Sequence, residues 1–146
     1  MQQHAAVVRR LAETLRPGGK LLFRDYGRCV LMSITPTLIL TVCGVVVRFD
    51  EAQLRFRKGA KLSDHFYVRQ DGTCSFFFQE QELRELLEGC EGQGIAESEM
   101  GEEVRWGMAT EECYPITRQY ANRKQQAARR RVWIHAKAVK RLLADE

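Results

Sequence analysis

The groups best suited to chemistry stand close together. Arg24, Asp25, Tyr26 and Arg28 surround Gly27 just after the apolar run Lys20 to Phe23. A run of that length reads as a short buried strand, and ligands in open α/β sheets bind beyond the carboxyl ends of strands. The expectation is therefore a carboxylate, a phenol and guanidiniums crowded at a strand exit. Metal chemistry has no such footing. The 5 cysteines and 3 histidines are scattered, and no two cysteines stand at metal-ligand spacing. The odd cysteine count reads as free thiols in a reducing compartment. Two other stretches, Arg55 to Lys61 and Arg118 to Arg131, are basic, whereas Gln79 to Glu103 is acidic. With a net charge of only +4, this uneven spread suggests a polyanionic partner, and a solvated surface is the plain alternative.

The elements that must hold these groups can be read from pattern. At 146 residues and 45% apolar content, the chain suits one domain or part of one. Gln2 to Leu15 reads as an amphipathic helix with Val7, Leu11 and Leu15 on its apolar face and Val8 and Ala12 beside it. It starts without an N-cap or a preceding strand, as in a chain that begins in mid-domain. Met1 is followed by polar residues rather than a secretory signal. Pro17 cannot continue the helix, and Gly18 and Gly19 accept the positive φ that a reversal needs. Cys29 to Val47 carries no charged residue and is long enough to span a membrane. Pro36, Gly44 and its β-branched residues favour short strands or an irregular apolar loop instead, so a membrane span is not expected.

Asp50 to Gly59 is polar and basic, with Leu54 and Phe56 as anchors. Phe66 to Arg69 and Cys74 to Phe78 read as strands joined by a turn at Asp71-Gly72. Gln79 to Glu88 reads as a second amphipathic helix with Leu83, Leu86, Leu87 and Cys90 on one face, ended by Gly89. Gly94 to Trp106 and Arg131 to Lys137 alternate as strands do. Gly107 to Arg118 is ambiguous, Tyr120 to Arg130 reads as a basic loop, and Ala138 to Glu146 reads as a frayed tail. The order suits an α/β fold: the second half of a doubly wound sheet, closed by an antiparallel edge.

Five segments then occur in a telling order. They are Leu-Arg-Pro-Gly-Gly-Lys-Leu-Leu-Phe-Arg-Asp-Tyr-Gly-Arg (Leu15 to Arg28), Ala-Gln-Leu-Arg-Phe-Arg-Lys-Gly (Ala52 to Gly59), Phe-Tyr-Val-Arg-Gln-Asp-Gly-Thr (Phe66 to Thr73), Asn122-Arg123, and Arg131 to Ile134. Together they resemble the C-terminal half of the methyltransferase-like family that makes 3-methylcytidine in transfer RNA. The Pro-Gly-Gly strand element alone is shared by many class I methyltransferases, and the three longer motifs in series are far more specific. The resemblance covers nearly the whole chain except 29–49. In the family, the arginine ending the first motif is followed almost at once by the Ala-Gln-Leu-Arg-Phe element. The apolar segment between them here has three alternatives: a genuine insertion, a gene-model artefact or a membrane segment. The family's glycine-rich loop and acidic residue for S-adenosylmethionine have no counterpart in this sequence.

The resemblance implies a partial class I, Rossmann-like methyltransferase domain over 1–146, with S-adenosylmethionine as cofactor and transfer RNA as partner. It leaves open an aminoacyl-tRNA synthetase or other protein cofactor. It implies methylation of cytosine N3 in the anticodon loop, where the Watson–Crick edge is exposed. N3 has a lone pair, so alignment matters more than a strong base, and a carboxylate would stabilise the cationic product ring. Asp25 is the candidate for that carboxylate and Tyr26 for a stacking partner of the base; a plain ion pair and a packed aromatic are the bland readings. Arg24, Arg28, Arg55, Arg57, Lys58, Tyr67, Arg69, Asn122 and Arg123 are the candidates for RNA contact. No metal site is expected. A catalytically inactive fragment that retains RNA binding, and a class I methyltransferase with another substrate, are the rival readings. The reducing-compartment reading suggests the cytoplasm, with the nucleus or mitochondrion as alternatives.

Overall fold

The computed structural model describes residues 2–28, 51–95, 103–122 and 127–143. The apolar segment 29–49 and Arg123, both singled out above, lie outside the described residues. The chain forms two compact units. The first comprises Met1–Arg24, Gln81–Tyr114 and His135–Glu146, and the second comprises Asp25–Glu80 and Pro115–Ile134.

In the first unit, α1 (Gln2–Glu13) ends as its sequence requires. Thr14 and Leu15 donate to the carbonyls of Leu11 and Ala12, tightening the last turn, and Gly18 takes φ 78°. The buried face is not the expected one. Val8 and Ala12 are buried, whereas Val7 is 57% and Leu11 45% exposed. The two apolar stripes lie one helix position apart, and α1 packs against β5 (Glu91–Ile95).

β1 (Lys20–Tyr26) is longer than the expected run and less buried. It is an outermost strand of a sheet ordered β1-β7-β6-β5, where β6 is Glu103–Asn122 and β7 is Ala127–Leu143. Its residues alternate between exposed and half-buried, and Leu22 is 70% exposed. Gly18 N donates to Lys140 O and Lys140 N to Gly19 O, which pins the start of β1 to the end of β7. On β6 and β7, Tyr114 meets His135 and Glu112 meets Lys137, so the two strands run antiparallel. β5 and β6 are antiparallel as well.

Three expectations fail here. Gly94 to Trp106, expected as one strand, falls on two: β5 ends at Ile95 and pairs antiparallel with β6 from Glu103. Residues 120–130 were expected to be a loop, yet the strands run to Asn122 and resume at Ala127. The expected tail from Ala138 is core strand: Ala138, Val139 and Lys140 are buried. Lys140, 7% exposed, donates its ammonium to Leu15 O at 2.8 Å, capping α1, and lies 4.4 Å from the centre of the Trp106 ring. α3 (Glu80–Glu88) completes the core with buried Leu83 and Leu87.

In the second unit, α2 (Glu51–Leu54) precedes a three-stranded antiparallel sheet of β2 (Lys61–Ser63), β3 (Phe66–Val68) and β4 (Cys74–Phe76). The hairpin turn falls where Asp71-Gly72 predicted, with Gly72 at φ 81°. The chain is thus mixed α/β with antiparallel strand pairs, and Gly27 and Phe78 form an isolated parallel bridge. Among the described residues, no helix is long and apolar enough to cross a membrane.

Gly92 pairs with Trp106 across β5 and β6, and a Cβ added there would sit 2.3 Å from the indole Cζ2. The glycine is therefore needed to seat the ring. Gly92→Ala is predicted to cost about 1–3 kcal/mol by overpacking. Urea unfolding checks this, and an unchanged midpoint would refute it.

Candidate functional site

The second unit is built around Phe77, which is 1% exposed. Its ring stacks on Tyr26 at 5.4 Å and meets Phe56 and Tyr67 edge-on at 6.2 and 5.7 Å. Phe56 and Tyr67 stack on each other at 4.6 Å. Backbone bonds fix the frame: Phe77 N donates to His65 O, Phe78 N to Tyr26 O and Arg28 N to Phe78 O. Gly27 lets β1 close on β7, because a Cβ there would lie 3.0 Å from the backbone of Trp133 and Ile134.

Around this aromatic core the cations gather. Arg55, Arg57 and Arg69 line an open cleft of about 400 Å³ with Phe56, Val68 and Gln70. Arg69 and Arg131 both face the Tyr26 ring, their Cζ atoms 5.1 and 4.7 Å from its centre. Trp133 flanks the same ring at 4.9 Å. Arg28 Nε donates to Phe77 O at 3.2 Å.

The structure thus brings together Tyr26, Arg28, Arg55, Arg57, Tyr67 and Arg69 within one unit. Asp25 is there too, half-buried, its Oδ1 accepting the Tyr26 amide at 2.7 Å. Asp25 and Tyr26 belong to the body of β1 rather than to a loop beyond its exit, because the strand runs through Tyr26. Lys58 is exposed in the turn after α2 and does not line the cleft. Arg24 is an exposed residue of the first unit. Asn122 is the last residue of β6.

Arg131, which the sequence marks only as part of a basic stretch and a short motif, and Phe77, which it marks only as part of a strand, are drawn into the site by the fold. Arg131 shares strand parity with Trp133, so both side chains project to one face of β7 and reach Tyr26. Phe77 lies in a run of three phenylalanines, and nothing in that run singles it out as the centre of the cluster.

No family model matches the chain. Curated relatives do. It is 34% identical over 138 residues to the tRNA N(3)-cytidine methyltransferase METTL2B of Homo sapiens, which covers 94% of this chain and 27% of that one. It is 36% identical over 123 residues to the tRNA N(3)-methylcytidine methyltransferase Mettl2 of Drosophila melanogaster, covering 84% and 27%. The O-methyltransferase 3 of Dictyostelium discoideum is 32% identical over 139 residues, covering 94% and 24%. The chain is related to the C-terminal portion of the tRNA N(3)-cytidine methyltransferases. It spans about a quarter of the length of these relatives.

The turn that carries Arg69 has its own electrostatic lock. Asp71 accepts hydrogen bonds from Thr73 N at 3.0 Å and Thr73 Oγ1 at 2.7 Å. These bonds, first that of the Thr73 hydroxyl, hold its carboxyl below its ordinary value of 3.8. A depressed carboxyl stabilises the fold above its unfolded value and loses that contribution as pH falls through the folded one. A carboxyl-detected NMR titration is predicted to show Asp71 titrating below 3.8, and Asp71→Asn to lessen acid sensitivity in that range. A titration at or above 3.8 would refute the lock.

Proposed function

We propose that this chain is the RNA-contacting, C-terminal part of an S-adenosylmethionine-dependent methyltransferase that acts on cytosine N3 in the anticodon loop of transfer RNA. The observation that carries the proposal is the convergence of Arg55, Arg57 and Arg69 on one cleft beside stacked aromatic rings. Guanidiniums recognise phosphates, and exposed aromatic faces serve single-stranded bases. The kinship with enzymes named tRNA N(3)-cytidine methyltransferases supports the cytosine N3 part of it. The helix-turn-strand α1–β1 and the antiparallel pair β6–β7 are compatible with the closing part of a class I, Rossmann-like doubly wound sheet.

In this reading the chain's own residues bind and orient. Arg24, Arg28, Arg55, Arg57, Lys58, Arg69, Asn122 and Arg123 contact the RNA, as does Tyr67, which stacks on Phe56 of the cleft. Asp25 supplies a carboxylate near the ring that becomes cationic on N3 methylation. Tyr26, faced by two guanidiniums and flanked by Phe77 and Trp133, would have to displace a neighbour to stack on a base. S-adenosylmethionine supplies the methyl group. The described residues do not fit it: the positive-φ glycines Gly18, Gly59 and Gly72 sit in turns after helices and in a hairpin, not in a loop between a strand and the following helix. No step is therefore routed through the cofactor on this chain. An aminoacyl-tRNA synthetase as a further partner and a cytoplasmic setting complete the proposal. The O-methyltransferase name of the Dictyostelium relative favours a second reading, a methyltransferase with another substrate.

Filter binding of unmodified transfer RNA at a series of salt concentrations tests the proposal. Affinity is expected to fall steeply with salt, and the triple variant Arg55→Ala, Arg57→Ala, Arg69→Ala is expected to flatten the slope by about 2, at roughly 0.7 per single-strand phosphate contact. Lys137→Ala, which removes one cation of the first unit, is the control. Salt-insensitive binding, or a triple variant that behaves as wild type, would overturn the RNA reading and favour another substrate.

A further inference from the structure

Arg69 follows β3 and Arg131 belongs to β7, yet both guanidiniums come to the ring of Tyr26 on β1. Each Cζ lies about 5 Å from the same ring centre, so the two like charges are within about 10 Å of each other, roughly one Debye length at 0.1 M salt. Such a pair repels. The ring offsets part of that repulsion by its quadrupole, and it limits the freedom of both side chains. Phe77 stacks on Tyr26 and Trp133 tilts against it, so the ring itself is fixed. The arrangement sets two guanidiniums against one packed aromatic ring.

We infer that Tyr26, Arg69 and Arg131 form a phosphate clamp, in which the two guanidiniums hold one phosphodiester of a bound RNA and the phenol ring positions them. The clamp rests on the proposed RNA reading and deepens it, because it assigns a phosphate contact beside Asp25 and distinct from the Arg55–Arg57 side of the cleft. A planar fork suits a tetrahedral oxyanion through paired N–H donors, which a lysine ammonium does not reproduce. Arg69 joins the two regions, since it also lines the cleft. Tyr26 is a positioning residue here: it acts through the guanidiniums.

The probe is inorganic phosphate, followed by the arginine Nε–H NMR signals of the full 146-residue chain. The Arg69 and Arg131 signals are expected to shift together along one saturation curve. Tyr26→Phe, which keeps the ring, is expected to preserve that curve. Tyr26→Leu, which keeps the net charge but loses the ring, is expected to weaken it at least fivefold. Circular dichroism confirms that each variant is folded, and a Tyr26→Leu chain that fails to fold is replaced in the comparison by Arg131→Lys, expected to weaken phosphate binding to a similar extent. Uncoupled or absent shifts, or a folded Tyr26→Leu or Arg131→Lys chain that binds phosphate as wild type does, would overturn the clamp. With transfer RNA as ligand, Arg131→Gln is expected to flatten the salt slope by about 0.7. If wild type binds phosphate at the clamp but not RNA, the clamp stands and the RNA reading falls. If wild type binds RNA with an unchanged slope in Arg131→Gln, the clamp falls and the RNA reading stands.

Discussion

Phe77 is the contact on which the second unit depends. It is nearly inaccessible, and it receives Tyr26 from β1, Phe56 from the turn after α2 and Tyr67 from β3. These segments are far apart in sequence, and the short strands β2, β3 and β4 bury little surface by themselves. Rings of this size supply most of the apolar burial available to so small a unit, with edge-to-face and stacked geometries adding about 0.5–1.5 kcal/mol per pair. The same ring fixes Tyr26, and through Tyr26 the guanidiniums of Arg69 and Arg131. Packing therefore also positions cations: Phe56, Tyr67 and Tyr26 pack around Phe77, and two guanidiniums face the Tyr26 ring.

The first unit follows a different logic. Several of its charges pair with one another. Glu111 receives Lys20 and Lys137, and Glu112 receives Lys137 and His135. Its buried cation, Lys140, is consumed in capping α1 and in covering Trp106. Cys90 is buried, and that burial pushes its thiol up from its ordinary range, so it behaves as a small apolar side chain rather than a nucleophile. The cleft lined by Arg55, Arg57 and Arg69 belongs to the other unit.

Much of this was legible in the residues. The Asp71-Gly72 turn, the helix over Glu80–Glu88 and the reversal at Pro17 to Gly19 each rest on local chemistry that tertiary context did not override. The misses have physical causes. Val7 and Leu11 form as good an apolar stripe as Val8 and Ala12, so periodicity alone could not choose which one is buried. The outer half of β6, Pro115 to Tyr120, is largely exposed on both faces and so carries no alternation to betray a strand. Lys140 looked like tail because a lysine is seldom buried, and its partner is a carbonyl 125 positions away in the chain. The candidate site was legible as motifs, since Arg-Asp-Tyr-Gly-Arg and Phe-Tyr-Val-Arg-Gln-Asp-Gly-Thr flagged Tyr26 and Arg69. Their meeting with Arg131 required the pairing of β1 with β7, which no local pattern encodes.

The proposed RNA contacts of the cleft lie in the second unit. Hydrogen exchange of the whole chain, with and without unmodified transfer RNA, tests them most directly. Bound RNA is expected to slow exchange at Arg55 to Ala60 and Phe66 to Thr73 and to leave α3 and β5 unchanged. Slowing confined to α3 and β5, or none in either unit, would contradict the proposal.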